Sequence, residues 1–253
     1  DIFYSMISIV GLDGLNPIIT LIKYTRNIAI VNKEPLICGW NLIKKELKKF
    51  NTNFIPVDSE HFSISELLRN SKSNLIEKIY ITASGGPFLN FPKSKLLKVK
   101  VKDALKHPNW KMGKKISIDS ATMMNKVFEV IEAKNIFNLD YKKISILIHS
   151  KSYIHALIKF NNGQIKLLAH EPDMKIPIHN SLYQNDYNKI CTNKINLDIL
   201  NNLELKKISL KMFPTIKILD SLPKFNSLYE TALVTINDYF VTKFLTNKIN
   251  FVQ

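Results

Sequence analysis

The sequence predicts an α/β fold in which short strands alternate with helices and a helical segment closes the chain. Short apolar runs alternate with segments of helical spacing, glycine-containing turns separate them, and the spacing becomes helical from Ile216 to Leu245. With 253 residues and 45% hydrophobic content, the chain is long enough to bury a large core.

The N-terminal part predicts strand and helix units of a parallel sheet. In chain order these are a strand at Ile7–Val10, a turn at Gly11–Gly14, a helix at Ile19–Tyr24, a strand at Ile28–Val31, a helix at Leu42–Lys49 and a strand at Phe54–Val57. The last strand ends at the acidic segment Asp58-Ser59-Glu60-His61. Because ligands bind at the carboxyl ends of strands in open α/β sheets, we expect the functional site at this acidic segment.

The middle of the chain predicts further strands and a polar loop. The predicted elements are a helix near Ile64–Arg69, a strand at Lys78–Thr82, a turn at Ala83–Phe88, a flexible loop at Lys106–Lys114, a strand at Ile116–Ile118, a helix opening at Asp119-Ser120, and strands at Ile144–His149, Ala156–Phe160 and Ile165–Ala169. Asn161-Asn162-Gly163 predicts a hairpin between the last two strands.

Composition argues against several functional classes. The net charge is +15, but the lysines are spread through Asn- and Ile-rich stretches, a pattern typical of an AT-rich genome and not of a nucleic-acid interface. The sequence has no apolar run of about 18 residues, so we expect no membrane segment. Cys38 and Cys191 are too few for a disulfide framework or a zinc site. The start is neither a signal peptide nor a transit sequence, and we expect the chain to be a fragment.

Three acidic residues are candidate metal ligands. If the chain is extended at Asp58 and Glu60, both carboxylates project to one side, where they could hold Mg²⁺ or Mn²⁺. Glu129 is a possible third acid from a separate element. The alternative for the pair alone is a solvated strand end.

The segment Asp119 to Glu129 predicts a helix that could contact an anion. Ser120 is a candidate N-cap, and free backbone N–H groups at a helix start favour phosphate. Asn125 and Glu129 are four residues apart and share a face, and Lys126 adds a positive charge beside them. The alternative is an ordinary capped helix with a polar surface.

Other candidate site residues lie in turns and loops. Ser84-Gly85-Gly86 could give further phosphate contacts, and Lys33 in Asn32-Lys33-Glu34 could neutralise an oxyanion. The alternative for the triplet Asn32-Lys33-Glu34 alone is a solvated loop. His107 with Trp110 and Met112 could close over a ligand, or could fill a neighbouring core. His149 and His155 are interpreted as structural.

Taken together, these segments resemble one family, the 1-deoxy-D-xylulose 5-phosphate reductoisomerases of the non-mevalonate isoprenoid pathway. The segments that carry the resemblance are Asn32 to Glu34, Pro56 to His61, Ser84 to Phe88, His107 to Lys115, including Gly113, and Ile118 to Lys126. Their order and spacing match over nearly all of the chain, most strongly from Ile79 to Ala133. The Lys- and Asn-rich sequence resembles most the forms of this family from apicomplexan plastids.

The resemblance implies a role for each matching residue. The metal ligands would be Asp58, Glu60 and Glu129, and the catalytic residues would be Lys33, Ser59, Glu60 and His107. The residues that bind the substrate would be Ser59, Glu60, Ser84, His107, Ser120, Asn125, Lys126 and Glu129. The residues that bind NADPH would be Asn32, Lys33, Glu34, Met112 and Gly113. The implied reaction rearranges the carbon chain of the phosphorylated sugar and then reduces the resulting aldehyde with NADPH. A homodimer is also implied.

The implied architecture has three parts. Residues 1–57 would be the C-terminal part of a Rossmann-like NADPH-binding domain, 58–191 an α+β catalytic domain, 192–215 a linker and 216–253 the start of a helical domain. The Gly-rich fingerprint of the family is not within this sequence. A plastid (apicoplast) location is expected, with the cytoplasm as the alternative.

Several positions depart from the family pattern. Val127 stands where Gly is usual, and we expect its branched side chain to crowd substrate or nicotinamide. The other departures are Pro35, Ser150-Lys151, Tyr183-Gln184-Asn185-Asp186, Val234 and Asp238. They leave open a second hypothesis, a diverged non-catalytic homologue that acts as a binding or scaffold protein.

Overall fold

A parallel three-stranded sheet forms the N-terminal part of the fold. The computed structural model describes residues 1–69, 71, 75–110, 112–183, 188–225 and 227–253, so Lys111 and Gln184 to Asp186 lie outside the described residues. The elements of this part are strands β1 (Ile2–Ile7), β2 (Thr25–Ile30) and β3 (Asn53–Pro56) and helices α1 (Leu15–Ile22), α2 (Lys33–Cys38) and α3 (Trp40–Phe50). The strands lie in the order β1-β2-β3 and all run parallel, as predicted.

Two features of this part differ from the prediction. The first strand ends at Ile7, so the predicted strand at Ile7–Val10 is wrong; Ile9 and Val10 are exposed in the turn that leads to Gly11, which has a φ of 75°. Apolar runs this short do not fix the ends of a strand. The sequence Asn32-Lys33-Glu34 begins helix α2, with Asn32 as its N-cap residue, and Lys33 and Glu34 are buried. It is therefore not a solvated loop.

A mixed sheet forms the second layer. Its strands are β4 (Ile76–Ala83), β5 (Ile144–Ile148), β6 (Ile154–Phe160), β7 (Ile165–Ala169) and β8 (Lys206–Lys207), in the order β7-β6-β4-β5-β8. Strands β4 and β5 are parallel, and the other neighbours pair antiparallel. The predicted hairpin joins β6 to β7 through Gly163, whose φ of 84° explains the glycine.

Helices cover this sheet and complete the chain. They are α4 (Ser59–Leu68), α5 (Val101–Ala104), α6 (Lys114–Thr122), α7 (Met124–Phe137), α8 (Lys175–Leu182), α9 (Leu197–Asn201), α10 (Ile218–Ser221) and α11 (Tyr229–Leu245). In the part of the chain that the structure describes, none of them is long and apolar enough to cross a membrane. The three-part domain division stays a prediction.

The predicted strand at Ile116–Ile118 is wrong, because this segment belongs to α6. Alternating isoleucines suit a strand, but Ile118 and Ala121 lie three residues apart and bury one face of a helix. Helix α6 ends at Thr122, and Met123, whose φ is 67°, separates it from α7. Ser120 therefore lies in the last turn of α6 and is not an N-cap.

The main core lies between the mixed sheet and α7, a helix that is buried on nearly all sides. Val127 is fully buried in this core, together with Phe128 and Ile131, and it does not line the large cavity described below. The expectation that its side chain crowds a ligand is therefore wrong. Valine at this position fills the core.

Replacing Val127 should destabilise the fold and leave no extra room for a ligand. Val127→Ala should lower the free energy of unfolding by about 2 kcal/mol through a cavity, and Val127→Gly by about 3 kcal/mol, because glycine adds about 1 kcal/mol of helix cost. Urea denaturation of both variants measures the difference. Unchanged midpoints would show that this part of the core is not tightly packed.

Candidate active site

A cavity of about 450 Å³ lies where the carboxyl ends of strands from both sheets meet. Strands β2 and β3 lead into the starts of α2 and α4, and β4 leads into the turn at Ser84. All the predicted site residues line it: Asn32, Lys33, Glu34, Asp58, Ser59, Glu60, Ser84, His107, Met112, Gly113, Ser120, Asn125, Lys126 and Glu129. The structure thus brings them together, and their individual roles stay predictions.

Three carboxylates converge at the floor of this cavity. Asp58, Glu60 and Glu129 can each place one oxygen within 4.8 Å of the others, a spacing that suits shared ligation of a divalent cation. The prediction that an extended chain brings Asp58 and Glu60 to one side is wrong, because the chain is not extended there. Asp58 is the N-cap of α4, its Oδ1 accepts from the Glu60 backbone N–H at 3.2 Å, and Glu60 lies in the first helical turn.

Two buried lysines balance these acids. Lys33 Nζ pairs with Asp58 and lies 3.5 Å from Glu129 Oε1. Lys126 Nζ pairs with Glu129 and donates to Glu60 Oε1 at 2.9 Å. Asn125 Nδ2 donates to Glu129 Oε1 at 2.5 Å, which confirms that these two residues share one face of α7.

Glu132, which sequence reasoning missed, is a fourth acid of this cluster. It is fully buried, and neither of its carboxylate oxygens accepts a hydrogen bond from a described residue. Lys33 Nζ lies 3.7 Å and His61 Nδ1 3.9 Å from Glu132 Oε2. Its position three residues after Glu129, on a helix already suspected of ligation, was the available signal.

The acids differ in how readily they ionise. Burial acts to raise the pKa of Glu60, but Lys126, hydrogen bonding and Lys33 bring it well below the usual range. Burial and the neighbouring Glu60 raise the pKa of Glu129 to about 8 against the pull of Lys126 and Lys33. Burial likewise raises the pKa of Glu132 to about 7, although Lys33 and His61 oppose it. The positive charges of two lysines do not balance the negative charges of four ionised carboxylates. A divalent cation therefore fits this set of oxygen donors.

The turn after β4 and the segment His107–Trp110 form the opposite wall. The backbone N–H groups of Asn109 and Trp110 both donate to His107 Nδ1, at 3.2 and 2.9 Å. Because Nδ1 accepts, the neutral ring carries its proton on Nε2, which donates to Ser84 Oγ at 3.1 Å. Ser84 Oγ also accepts from the Gly86 N–H at 3.1 Å, so its own hydroxyl proton is free to donate to a ligand.

Gly86 brings two walls of the cavity together. Its φ is 63°, and a Cβ added there would lie 2.8 Å from the Ser120 carbonyl oxygen. Glycine is therefore required for the turn that carries Ser84 to rest on the end of α6, which carries Ser120. The two serines line the cavity from adjoining backbones.

Aromatic rings pack against the wall that contains His107 and Trp110. Trp110 lies edge-on to His155, with ring centroids 6.2 Å apart, and His155 stacks on His170 at 3.8 Å. Burial, followed by the neighbouring His170, holds the pKa of His155 well below the usual range, so the stacked ring is neutral. His149 is buried, and its Nδ1 lies 3.2 Å from the Glu204 carbonyl oxygen, in keeping with the structural interpretation.

The chain is similar to known proteins over nearly all of its length. Residues 54–137 match a model described as the 1-deoxy-D-xylulose 5-phosphate reductoisomerase C-terminal domain, and residues 170–253 match a second, described as the DXP reductoisomerase C-terminal domain. A 1-deoxy-D-xylulose 5-phosphate reductoisomerase from Pelagibacter ubique is 62% identical over 248 residues, which are 98% of this chain. The chain belongs to the 1-deoxy-D-xylulose 5-phosphate reductoisomerase family.

Other reductoisomerases give the same result. The enzyme of this name from Clostridium tetani is 41% identical over 246 residues, or 97% of this chain. A crystal structure of DOX-P reductoisomerase in complex with NADPH, fosmidomycin and magnesium superposes with a TM-score of 0.92 at 33% identity, over 99% of this chain. The Zymomonas mobilis enzyme in complex with NADPH gives 0.90 at 30% identity over 98% of this chain. The chain spans 64% of the length of these four relatives.

The structure shows how several departures from the reductoisomerase pattern are tolerated. Pro35 lies in the first turn of α2, where a backbone N–H has no helical partner. Val234 is buried in the main core. Asp238 reaches Lys115, with Oδ1 3.1 Å from Nζ, and so ties α11 to the cavity wall.

Glu34 connects to the same lysine. Lys115 Nζ donates to Glu34 Oε1 and to Asp119 Oδ2, each at 2.9 Å. Burial acts to raise the pKa of Glu34, but Lys115 lowers it below its usual value. One ammonium group thus joins α2, α6 and α11 of this chain.

We expect His107 to stay neutral under physiological conditions. Burial, followed by Lys126, lowers its pKa to about 4. Because the unfolded ring protonates at about 6.5, the unfolded chain binds more protons between these values, and this contribution to stability falls as pH falls through the window. Ring ¹⁵N NMR should show the Nε2–H tautomer at neutral pH. A proton on Nδ1, or a pKa at the usual value, would contradict the hydrogen-bond assignment.

Magnesium should stabilise the protein more at high pH than at low pH. In EDTA, folded Glu129 and Glu132 hold protons above the unfolded value of 4.5, so their contribution to stability is present below that pH and lost as pH rises through about 7 and 8. Since bound Mg²⁺ displaces these protons, the increase in Tm at about 10 mM Mg²⁺ should be larger at about pH 8 than at about pH 5.

Glu129→Gln is the matched variant for this measurement. It preserves the size of the side chain and removes one ligand and one titrating group, so most of the difference between the two pH values should disappear. Equal Mg²⁺ shifts at both pH values in the unaltered protein would show that the cation does not bind these acids.

Proposed function

We propose that the protein to which this chain belongs converts 1-deoxy-D-xylulose 5-phosphate to 2-C-methyl-D-erythritol 4-phosphate, with NADPH and a divalent metal ion. The observation that carries the proposal is the convergence of the family's polar residues on one cavity, with three carboxylates within 4.8 Å of one another. The related structures that bind NADPH and magnesium support the same assignment.

The acidic floor would hold the metal ion. Asp58, Glu60 and Glu129 supply hard oxygen ligands, and the ion, when bound, polarises the substrate carbonyl. Ser59 Oγ donates to Glu60 Oε2 at 2.6 Å and so orients that ligand. Lys33 Nζ lies against the same acids, in a position to neutralise negative charge at the reacting end of the substrate.

The substrate phosphate would bind at the opposite wall. Ser84 and Ser120 present hydroxyl groups there, and Asn125 and Lys126 lie in the first turn of α7, where the helix dipole favours an anion. The free hydroxyl proton of Ser84 suits a phosphate oxygen. His107 would close this part of the site and keep water from the aldehyde.

NADPH would approach from the side of the parallel sheet. Asn32, Lys33 and Glu34 lie at the carboxyl end of β2, and Met112 and Gly113 line the facing wall. This is the edge of the sheet at which open α/β folds bind ligands. NADPH, when bound by these residues, would supply the hydride for the reduction.

A non-catalytic homologue is the weaker hypothesis. A binding or scaffold protein would gain nothing from the buried carboxylates of Glu129 and Glu132, since a buried charge without full compensation destabilises the fold. The identity of 62% to a reductoisomerase also favours the enzyme.

Further details of the proposal are the metal, the assembly and the location. Mg²⁺ or Mn²⁺ would both suit the oxygen ligands. A homodimer, the absence of nucleic-acid and membrane partners, and a plastid or cytoplasmic location stay predictions.

Removal of one metal ligand tests the function. In the full-length protein, Glu129→Gln should lower Mn²⁺- or Mg²⁺-dependent oxidation of NADPH by deoxyxylulose phosphate at least about 100-fold, because the metal ion supplies several kcal/mol of transition-state stabilisation. Absorbance of NADPH measures the rate. The control is Glu77→Gln, an exposed acid paired with Lys159, which should keep full activity. No turnover by the intact, folded protein would reject the enzyme assignment.

A further inference from the structure

Asn109 makes two side-chain contacts that the proposed reaction does not use. Its Nδ2 donates to the Ser150 carbonyl oxygen and to Ser152 Oγ, both at 2.8 Å. An amide group has two N–H donors, and both are engaged here. The acceptors lie in the turn between β5 and β6, and Ser152 of this turn lines the cavity.

The accepting turn is itself well fixed. Ser152 is buried, has a φ of 51°, and donates its backbone N–H to the His149 carbonyl oxygen at 3.0 Å. It follows β5, a strand of the mixed sheet that pairs with β4. Asn109 therefore connects its own segment to a rigid part of the scaffold.

The segment that Asn109 holds carries two side chains of the cavity wall. The imidazole of His107 accepts the backbone N–H groups of Asn109 and Trp110, so residues 107–110 fold around one ring. That ring reaches Ser84, and Trp110 rests on His155. Ser84 and His155 each make one contact with this segment, whereas Asn109 makes two hydrogen bonds with the turn between β5 and β6.

We propose that Asn109 is a positioning residue: its paired amide hydrogen bonds hold His107 and Trp110 in place on the cavity wall. Without them, the side chains of residues 107–110 keep the hydrogen bond to Ser84 and the ring contact with His155, and His107 and Trp110 occupy the observed position for a smaller fraction of the time. The inference about residue position is independent of the proposed function, and only its kinetic consequence rests on it.

The kinetic consequence is a weaker apparent substrate affinity. A ligand that binds only the ordered arrangement has its dissociation constant raised in proportion to the fraction lost. We expect Asn109→Ala to raise KM for deoxyxylulose phosphate roughly tenfold and to change kcat less, because no reacting atom is removed. Asn109→Asp should act more strongly, since a carboxylate has no N–H to donate and would face the Ser150 carbonyl oxygen.

The test measures the tryptophan directly. In the full-length protein carrying Trp40→Phe, Trp110 is the tryptophan of the described segment, and acrylamide quenching of its fluorescence reports how exposed it is. Asn109→Ala and Asn109→Asp should each raise the quenching constant at least about twofold in the absence of substrate and cofactor. The control is Lys106→Ala, an exposed position in the same loop, which should change neither quenching nor KM.

The outcomes separate the two hypotheses. Quenching that stays unchanged in both Asn109 variants overturns the positioning role, whatever the activity. Increased quenching supports the role even if the unaltered protein has no turnover, a result that would count against the proposed function alone. If an Asn109 variant fails to fold, Ser152→Ala removes one of the two acceptors and decides the point: a smaller rise in quenching supports the role, and no rise overturns it.

Discussion

The buried pairing of lysine ammonium groups with carboxylates is the interaction on which this structure depends. Lys33 and Lys126 are each less than a tenth exposed, and each contacts acids from different parts of the chain. Removing one partner of a buried pair typically costs about 3–5 kcal/mol, because it leaves a charge without compensation. The elements that carry these groups must therefore come together in one arrangement, and that arrangement also forms the cavity.

The two sheets supply this arrangement in the same way. Parallel strands β2 and β3 end beside each other and begin the helices that carry Lys33 and Asp58, while parallel strands β4 and β5 end at Ser84 and at the turn that accepts Asn109. Helix α7 lies between them and contributes Lys126 and Glu129 from one face. Strand direction therefore places most of the polar groups, and one buried helix joins them.

Much of this was predictable from the sequence, and the errors have physical causes. The acidic segment after Val57 and the turn after β4 were placed correctly, since a strand end and a glycine pair are strong local signals. The helix at Lys114 was missed because Ile116 and Ile118 alternate as in a strand, and only packing decides between the two. The sequence predicts Ser120 at the start of a helix, but it lines the cavity from the end of a helix. The residue is therefore part of the site, although the reason for predicting it is wrong.

Other features depend on contacts that no local pattern encodes. Val127 looked like an obstruction because its neighbour Lys126 lines the cavity, yet successive helical residues point about 100° apart and the valine enters the core. The position of Glu132, three residues after Glu129, indicates that the two acids share a helix face, but its burial follows only from the packing of α7. The hydrogen bonds of Asn109 span 41 and 43 residues, so they are visible only once the sheets are assembled.

The contact at Gly86 has a consequence for how such a protein changes over time. The separation of the Ser84 and Ser120 walls is set by backbone meeting backbone, with no intervening side chain to enlarge or shrink. As the sequence of such a protein changes, substitutions elsewhere on the surface leave this separation unaltered, whereas a side chain at position 86 would push the two backbones apart.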